Sequence, residues 1–246
     1  MLKIFIGYDH RQPISYQVLH YSILKHASVP VSITPLVLHT LPIKRAGLTP
    51  FTYSRFLVPY LCDYEGWALF LDADMIALDD IKKLFDLANP ESEVCVVKNT
   101  KKFEWASLML FNNAKCKKLT PEFIETAERL HTIEWADHIG DIPSEWNFLA
   151  GYDKPTECPK LIHYTQGVPC FPETNKVDYN EEWTKLHSEM NSARPWAELM
   201  GNSVHAVQVN GVPIPKYLVD LDANPPGPAK GLERKVEELL CQLLGK

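Results

Sequence analysis

The sequence lacks several things that would place it quickly. No apolar run approaches the roughly 18–20 residues that cross a bilayer, and there is no Cys-x-x-Cys pair, internal repeat or low-complexity tract. A membrane-spanning helix is therefore not expected. The first ten residues turn polar after Ile6, which is too early for a secretory signal. Positive charge is also scarce: 25 Lys and Arg stand against 31 Asp and Glu, a net charge of −6. Nucleic-acid backbones are held by clustered basic residues, so a nucleic-acid partner is not expected. The six cysteines (Cys62, Cys95, Cys116, Cys158, Cys170 and Cys241) lack the spacing of a zinc ribbon. A 246-residue chain buries enough core to do without bridges. They read as reduced thiols, and the expected compartment is the cytoplasm.

What is present is an ordinary globular composition, 46% hydrophobic and 23% charged. A β-branched apolar run over residues 2–7 stops at a glycine and reads as a buried strand. Helical spacing follows over residues 14–27, with Pro13 where a first turn tolerates it. Residues 29–38 read as an edge or interrupted strand because of Pro30 and Pro35. Residues 51–61 suit a helix that Pro59 kinks or stops. Strands are expected at 67–71, 94–97 and 107–111, a helix at 121–130, and irregular loops over 140–167. Alternating strands and helices predict an α/β fold with a mostly parallel central sheet flanked by helices. Ligands then sit outside the carboxyl ends of the strands. The expected division is a domain over 1–183 and an irregular C-terminal extension over 184–246 that ends in an amphipathic helix (Leu232, Val236, Leu239, Leu240, Leu243).

The strongest chemical signal is Asp72-Ala73-Asp74 at the mouth of the apolar strand 67–71. Two carboxylates so close raise each other's pKa unless something neutralises them. A hard divalent cation does so, taking one or two carboxylates and filling its other positions with water and phosphate oxygens. The second such pair, Asp220-Leu221-Asp222, runs into Ala-Asn-Pro-Pro-Gly and is read as a surface turn. His163 ends a short apolar run, and neutral imidazole suits Mn²⁺ as a third ligand. Gly167, just beyond, allows backbone N–H groups close to a phosphate.

Five motifs in order carry a family resemblance: Gly7-Tyr8-Asp9, the run Ser54-Arg55-Phe56-Leu57-Val58-Pro59-Tyr60-Leu61, Trp105-Ala106-Ser107-Leu108-Met109-Leu110-Phe111-Asn112, Glu145-Trp146-Asn147, and His163-Tyr164-Thr165-Gln166-Gly167. With Leu69-Phe70-Leu71-Asp72-Ala73-Asp74, this series resembles the family 8 glycosyltransferases, and more narrowly a bacterial branch of family-8-like enzymes, over residues 2–183. The resemblance implies a GT-A fold, a nucleotide-diphosphate sugar donor (usually UDP-linked), Mn²⁺ or Mg²⁺, a carbohydrate or other hydroxyl acceptor, and hexosyl transfer with retention at the anomeric carbon. It further implies metal ligation by Asp72, Asp74 and His163, with Asp72 also touching the ribose. Tyr8 and Asp9 match positions that hold the base, and Arg55 an arginine near the donor. Asn112 and Asn147 match positions lining the sugar pocket. Asp137 matches an acidic residue beside the anomeric carbon, ahead of Asp141.

Two departures from that pattern stand out. The Lys-Pro-Trp that grips the diphosphate in much of the family is replaced here by Val168-Pro169-Cys170-Phe171, and the link over residues 98–104 is short. Lys98, Lys101 or Lys102 is then the candidate replacement cation. Two other readings compete: a haloacid dehalogenase-like phosphatase using Asp72 as nucleophile, and a protein that binds nucleotide sugars with little turnover.

Overall fold

The computed structural model describes residues 1–223 apart from Pro155 and Glu157; the helix expected between Leu232 and Leu243 lies outside the described residues. The chain divides into two compact units, Met1–Asn191 and Ser192–Lys246. Its strands are β1 Leu2–Gly7, β2 Val31–Leu36, β3 Trp67–Leu71, β4 Met75–Ala77, β5 Val94–Val96, β6 Leu108–Asn112, β7 Ile139–Asp141, β8 Phe148–Leu149, β9 Leu161–His163, β10 Ala206–Val209 and β11 Val212–Pro215.

A six-stranded sheet in the order β2-β1-β3-β6-β5-β7 forms the centre of the first unit. β2, β1 and β3 run parallel, as do β5 and β7, while β6 runs against both its neighbours. One reversed strand thus interrupts an otherwise parallel sheet. Ile4 and Ile6, Leu69 to Leu71 and Leu108 to Phe111 are fully buried, the continuous apolar pattern of strands covered on both faces. β2 lies at the edge, so Pro35 withholds no ladder hydrogen bond that a further strand needs.

The helix Pro13–His26 buries Ser15, Val18, Leu19, Ser22 and Ile23. Ser22 Oγ donates to the Leu19 carbonyl and accepts from the Ala77 amide, 2.9 Å away, so the helix fixes β4. The 51–61 segment is broken into Phe51–Ser54, a tighter 3₁₀ turn Arg55–Leu57, and Val58–Leu61. Pro59 has no N–H for the Arg55 carbonyl four residues back, so the break falls before the proline. The helix expected over 121–130 is shorter, Pro121–Thr126. Thr120 caps its start through the Phe123 amide, and Arg45 Nη1 takes the carbonyls of Ile124 and Ala127 at its end.

The stretch expected to be loops, 140–167, contains the end of β7 and the short strands β8 and β9. β9 pairs antiparallel with β4 and parallel with β8 in a second sheet. The helix Asn180–Met190 runs through position 183 and lies within the first unit. In the second unit β10 and β11 form a hairpin, turned by Asn210 and Gly211 at φ 52° and 80°, the left-handed pair that a tight two-residue turn requires. Asp220 and Asp222 fall within the helix Lys216–Ala223, not in a turn.

Candidate functional site

The central sheet ends where β3 hands over to Asp72. The Asp72 amide donates to the Ser107 carbonyl at 2.9 Å, and Leu71 pairs with Leu108 at the start of β6. The same edge receives Gly7, Tyr8 and Asp9, since Ile6 pairs with Leu71. Directly after Asp74, β4 pairs with β9 in a register that sets Met75 opposite His163, and the Tyr164 amide donates to the Asp74 carbonyl at 2.8 Å. That register brings His163 Nε2 to 3.3 Å from Asp74 Oδ1. One ligand atom from each of Asp72, Asp74 and His163 lies within 4.8 Å of the others.

The electrostatics of this cluster are unbalanced. Arg55 Nη1 reaches Asp72 at 3.1 Å from Oδ1 and 3.3 Å from Oδ2, and also donates to the Ala106 carbonyl at 2.9 Å. Burial still pushes the Asp72 carboxyl up to about 7; Arg55 opposes the shift and Asp74 adds to it. Burial alone pulls the His163 ring down, yet Asp74 foremost, then Glu104 and Asp72, overcome it and lift the ring to about 9. Asp72 Oδ1 and Asp74 Oδ1 are buried without a hydrogen bond. Buried carboxylate oxygens that accept no hydrogen bond, beside an imidazole nitrogen, make a donor set suited to a divalent cation.

Behind His163 stands a connected network. His163 Nδ1 is 3.1 Å from Asn147 Oδ1, Asn147 Nδ2 donates to Ser107 Oγ at 3.0 Å, and Ser107 Oγ donates to the Glu104 carbonyl at 2.6 Å. Because the serine hydrogen is spent on that carbonyl, Asn147 must offer its NH₂ to Ser107 and its oxygen to His163. His163 therefore carries hydrogen on Nδ1, and Nε2 faces the aspartates. Asn147, expected on a sugar-pocket wall, is 1% exposed and lies behind the imidazole.

The remaining expected residues divide by sheet edge. Asn112 ends β6 opposite Trp67, at the far end of the sheet from Asp72, and its amide donates to the Pro90 carbonyl. The reversal of β6 puts its carboxyl end on the opposite edge, so Asn112 lies away from Asp72. Asp137 is exposed before the start of β7, where the neighbouring His138 amide donates to Glu93 beside the start of β5. It too is on the far edge. Asp141, at the carboxyl end of β7, is on the near edge and pairs with Lys98 at 2.9 Å.

Around the near edge, Asp9 is gripped by Arg11 through Nε at 2.9 and 3.1 Å and through Nη2, which holds its carboxyl below the usual range. Tyr8 packs edge-on against Tyr16 with centroids 5.6 Å apart. Gly167, at φ 122°, gives its N–H to the Tyr164 carbonyl at 2.7 Å, so that donor is taken. Lys101 Nζ lies 5.0 Å over the Tyr152 ring. Glu104, which no sequence pattern singled out, is buried with Oε2 3.7 Å from His163 Nδ1.

No family model matches the chain. Among curated proteins, Protein CDI of Arabidopsis thaliana is 37% identical over 227 residues, covering 77% of this chain and 87% of that protein. The chain belongs to the family of Protein CDI. Among solved structures, the WbbM bifunctional glycosyltransferase aligns at TM-score 0.59 and 16% identity over 82% of this chain, which spans about half of that protein, 51%. GlyE of Streptococcus pneumoniae aligns at 0.56 and 17% identity over 82% of this chain and 62% of its own. The galactosyltransferase LgtC, solved with donor and acceptor sugar analogues, aligns at 0.55 and 13% identity over 81% of this chain and 100% of its own. The fold is that of the GT-A glycosyltransferases.

Proposed function

We propose that the chain is a metal-dependent, retaining glycosyltransferase that moves a sugar from a nucleotide-diphosphate donor, UDP-linked by preference, to a carbohydrate or other hydroxyl acceptor. One observation carries the reading: Asp72, Asp74 and His163 bring one ligand atom each within 4.8 Å of the others, with carboxylate oxygens that are buried and accept no hydrogen bond, at the ligand-binding edge of a GT-A sheet. Asp72, Asp74 and His163 would hold Mn²⁺ or Mg²⁺. Bound there, the cation supplies Lewis-acid stabilisation of the departing diphosphate.

The protein's own groups prepare that step. Arg55 fixes the direction of the Asp72 carboxylate, and Asn147 fixes that of the His163 ring. Tyr8 and the Arg11-held Asp9 frame the nucleotide side of the edge. Lys98 and Lys101, on the segment after β5, stand in for the missing Lys-Pro-Trp cation, and Asp141 replaces Asp137 as the candidate carboxylate beside the sugar. The buried thiols of Cys62, Cys95 and Cys116 support a reducing, cytoplasmic setting.

The phosphatase alternative needs its nucleophile on the first strand of a different fold, whereas Asp72 follows β3. Release of UDP from a panel of UDP-sugars, measured with Mn²⁺ and with EDTA, tests the proposal. Turnover that requires Mn²⁺ and disappears in Asp72→Ala is the expected result. UDP bound tightly with no release over hours would favour the binding-protein reading instead.

A further inference from the structure

Glu104 reaches His163 by two routes. Its backbone carbonyl anchors Ser107, which anchors Asn147, which accepts from His163 Nδ1. Its side chain returns to the same nitrogen, with Oε2 at 3.7 Å, while Oε1 accepts from the hydroxyl of Thr165, two residues beyond His163, at 2.6 Å. Backbone carbonyl, serine, asparagine, imidazole and carboxylate thus close a ring of contacts that begins and ends on one residue. Glu104 is 5% exposed, and among the described residues its one ion-pair contact within 4 Å is the His163 ring. A buried carboxylate is costly unless its charge is used.

We propose that Glu104 is the positioning residue of the site: it holds His163 in the Nδ1–H form with the Nε2 lone pair aimed between Asp72 and Asp74, and so sets the affinity of the site for cations that accept imidazole. This rests on the metal reading above. A carboxylate and an amide behind a ligating histidine fix its ring orientation and raise its basicity, and losing such partners typically costs about 10–100-fold in metal affinity.

The test is Mn²⁺ binding to the full chain, with the ¹⁴N modulation in the Mn²⁺ spin-echo spectrum as a direct reading of imidazole ligation. Glu104→Gln keeps the volume and an oxygen for Thr165 but turns an NH₂ toward the N–H of His163, donor against donor. It is expected to weaken Mn²⁺ binding about 10–100-fold and to reduce the ¹⁴N modulation. Thr165→Val, which frees the carboxylate without removing its charge, is expected to shift both readings the same way by less, and serves if Glu104→Gln does not fold. A folded Glu104→Gln protein with wild-type Mn²⁺ affinity and full modulation overturns the proposal. Asp74→Ala separates the two levels. Mn²⁺ binding that is lost in Asp74→Ala but untouched in Glu104→Gln sinks only the positioning role. Wild-type protein that binds no Mn²⁺ sinks both.

Discussion

Arg55 and Asp72 form a buried ion pair in which Nη1 of the arginine stands 3.1 Å from Oδ1 while also serving the Ala106 carbonyl. The arginine lies in the 3₁₀ turn created ahead of Pro59, so a local backbone break far from the aspartates in sequence aims one of them. Removing one partner of such a pair leaves a buried charge uncompensated, at about 3–5 kcal/mol.

Arg55→Ala is therefore expected to lose stability of that order at pH 8, where Asp72 is ionised. The loss shrinks at pH 5, where the carboxyl, already held at about 7 in the wild type, is protonated. Urea unfolding at the two pH values checks this, and an equal loss at both would contradict the pairing.

The two raised groups also set a pH dependence for the cation-free protein. Asp72 rises from 3.8 to about 7 and His163 from 6.5 to about 9. In both cases the folded state binds more protons than the unfolded state, so stability falls as pH rises. The Asp72 contribution is complete below 3.8 and gone above about 7. The His163 contribution is complete below 6.5 and gone above about 9. Thermal unfolding in EDTA is expected to show a falling midpoint from pH 5 to 9. Added Mn²⁺ should raise the midpoint more at pH 8 than at pH 6, because protons and cation compete for the same groups. A Mn²⁺ effect larger at pH 6 would contradict this.

How far the sequence reveals the site follows from which signals have a direction. β3 and Asp72-Ala73-Asp74 are legible because a continuous apolar run ending in two acids marks a buried strand whose carboxyl end carries charge that something must neutralise. His163 is legible only in company with them. The apolar pattern of β6 reads the same forwards and backwards, so nothing in Leu108 to Phe111 announces an antiparallel strand, and Asn112 goes with it to the edge opposite Asp72. Asp137 precedes its strand and Asp141 ends it, a distinction that needs the parallel pairing of β5 and β7. Strands of two or three residues, as in β4, β8 and β9, are too short for any periodicity. Glu104 ends the polar link over residues 98–104, and nothing in its spacing ties it to His163, 59 positions later.

From that division of edges, Asn112→Ala and Asp137→Ala are expected to keep wild-type donor turnover, whereas His163→Ala loses Mn²⁺-dependent turnover. Initial rates of UDP release for the three proteins decide it. A collapse in Asp137→Ala would return that residue to the chemistry.

Gly7 provides a structural control near the site. A Cβ there would lie 2.5 Å from the Phe51 ring, so Gly7→Ala forces the ring or β1 to shift, at about 1–3 kcal/mol. A lowered unfolding midpoint is expected, and an unchanged one would show that the Phe51 contact gives way freely.

The most direct measurement is calorimetric titration of UDP into the full chain, with and without Mn²⁺, for wild type and Asp74→Ala. Saturable UDP binding is expected only for the wild type with Mn²⁺. Equal UDP binding in EDTA, or in Asp74→Ala, would mean that the cluster of Asp72, Asp74 and His163 does not hold the diphosphate through a cation.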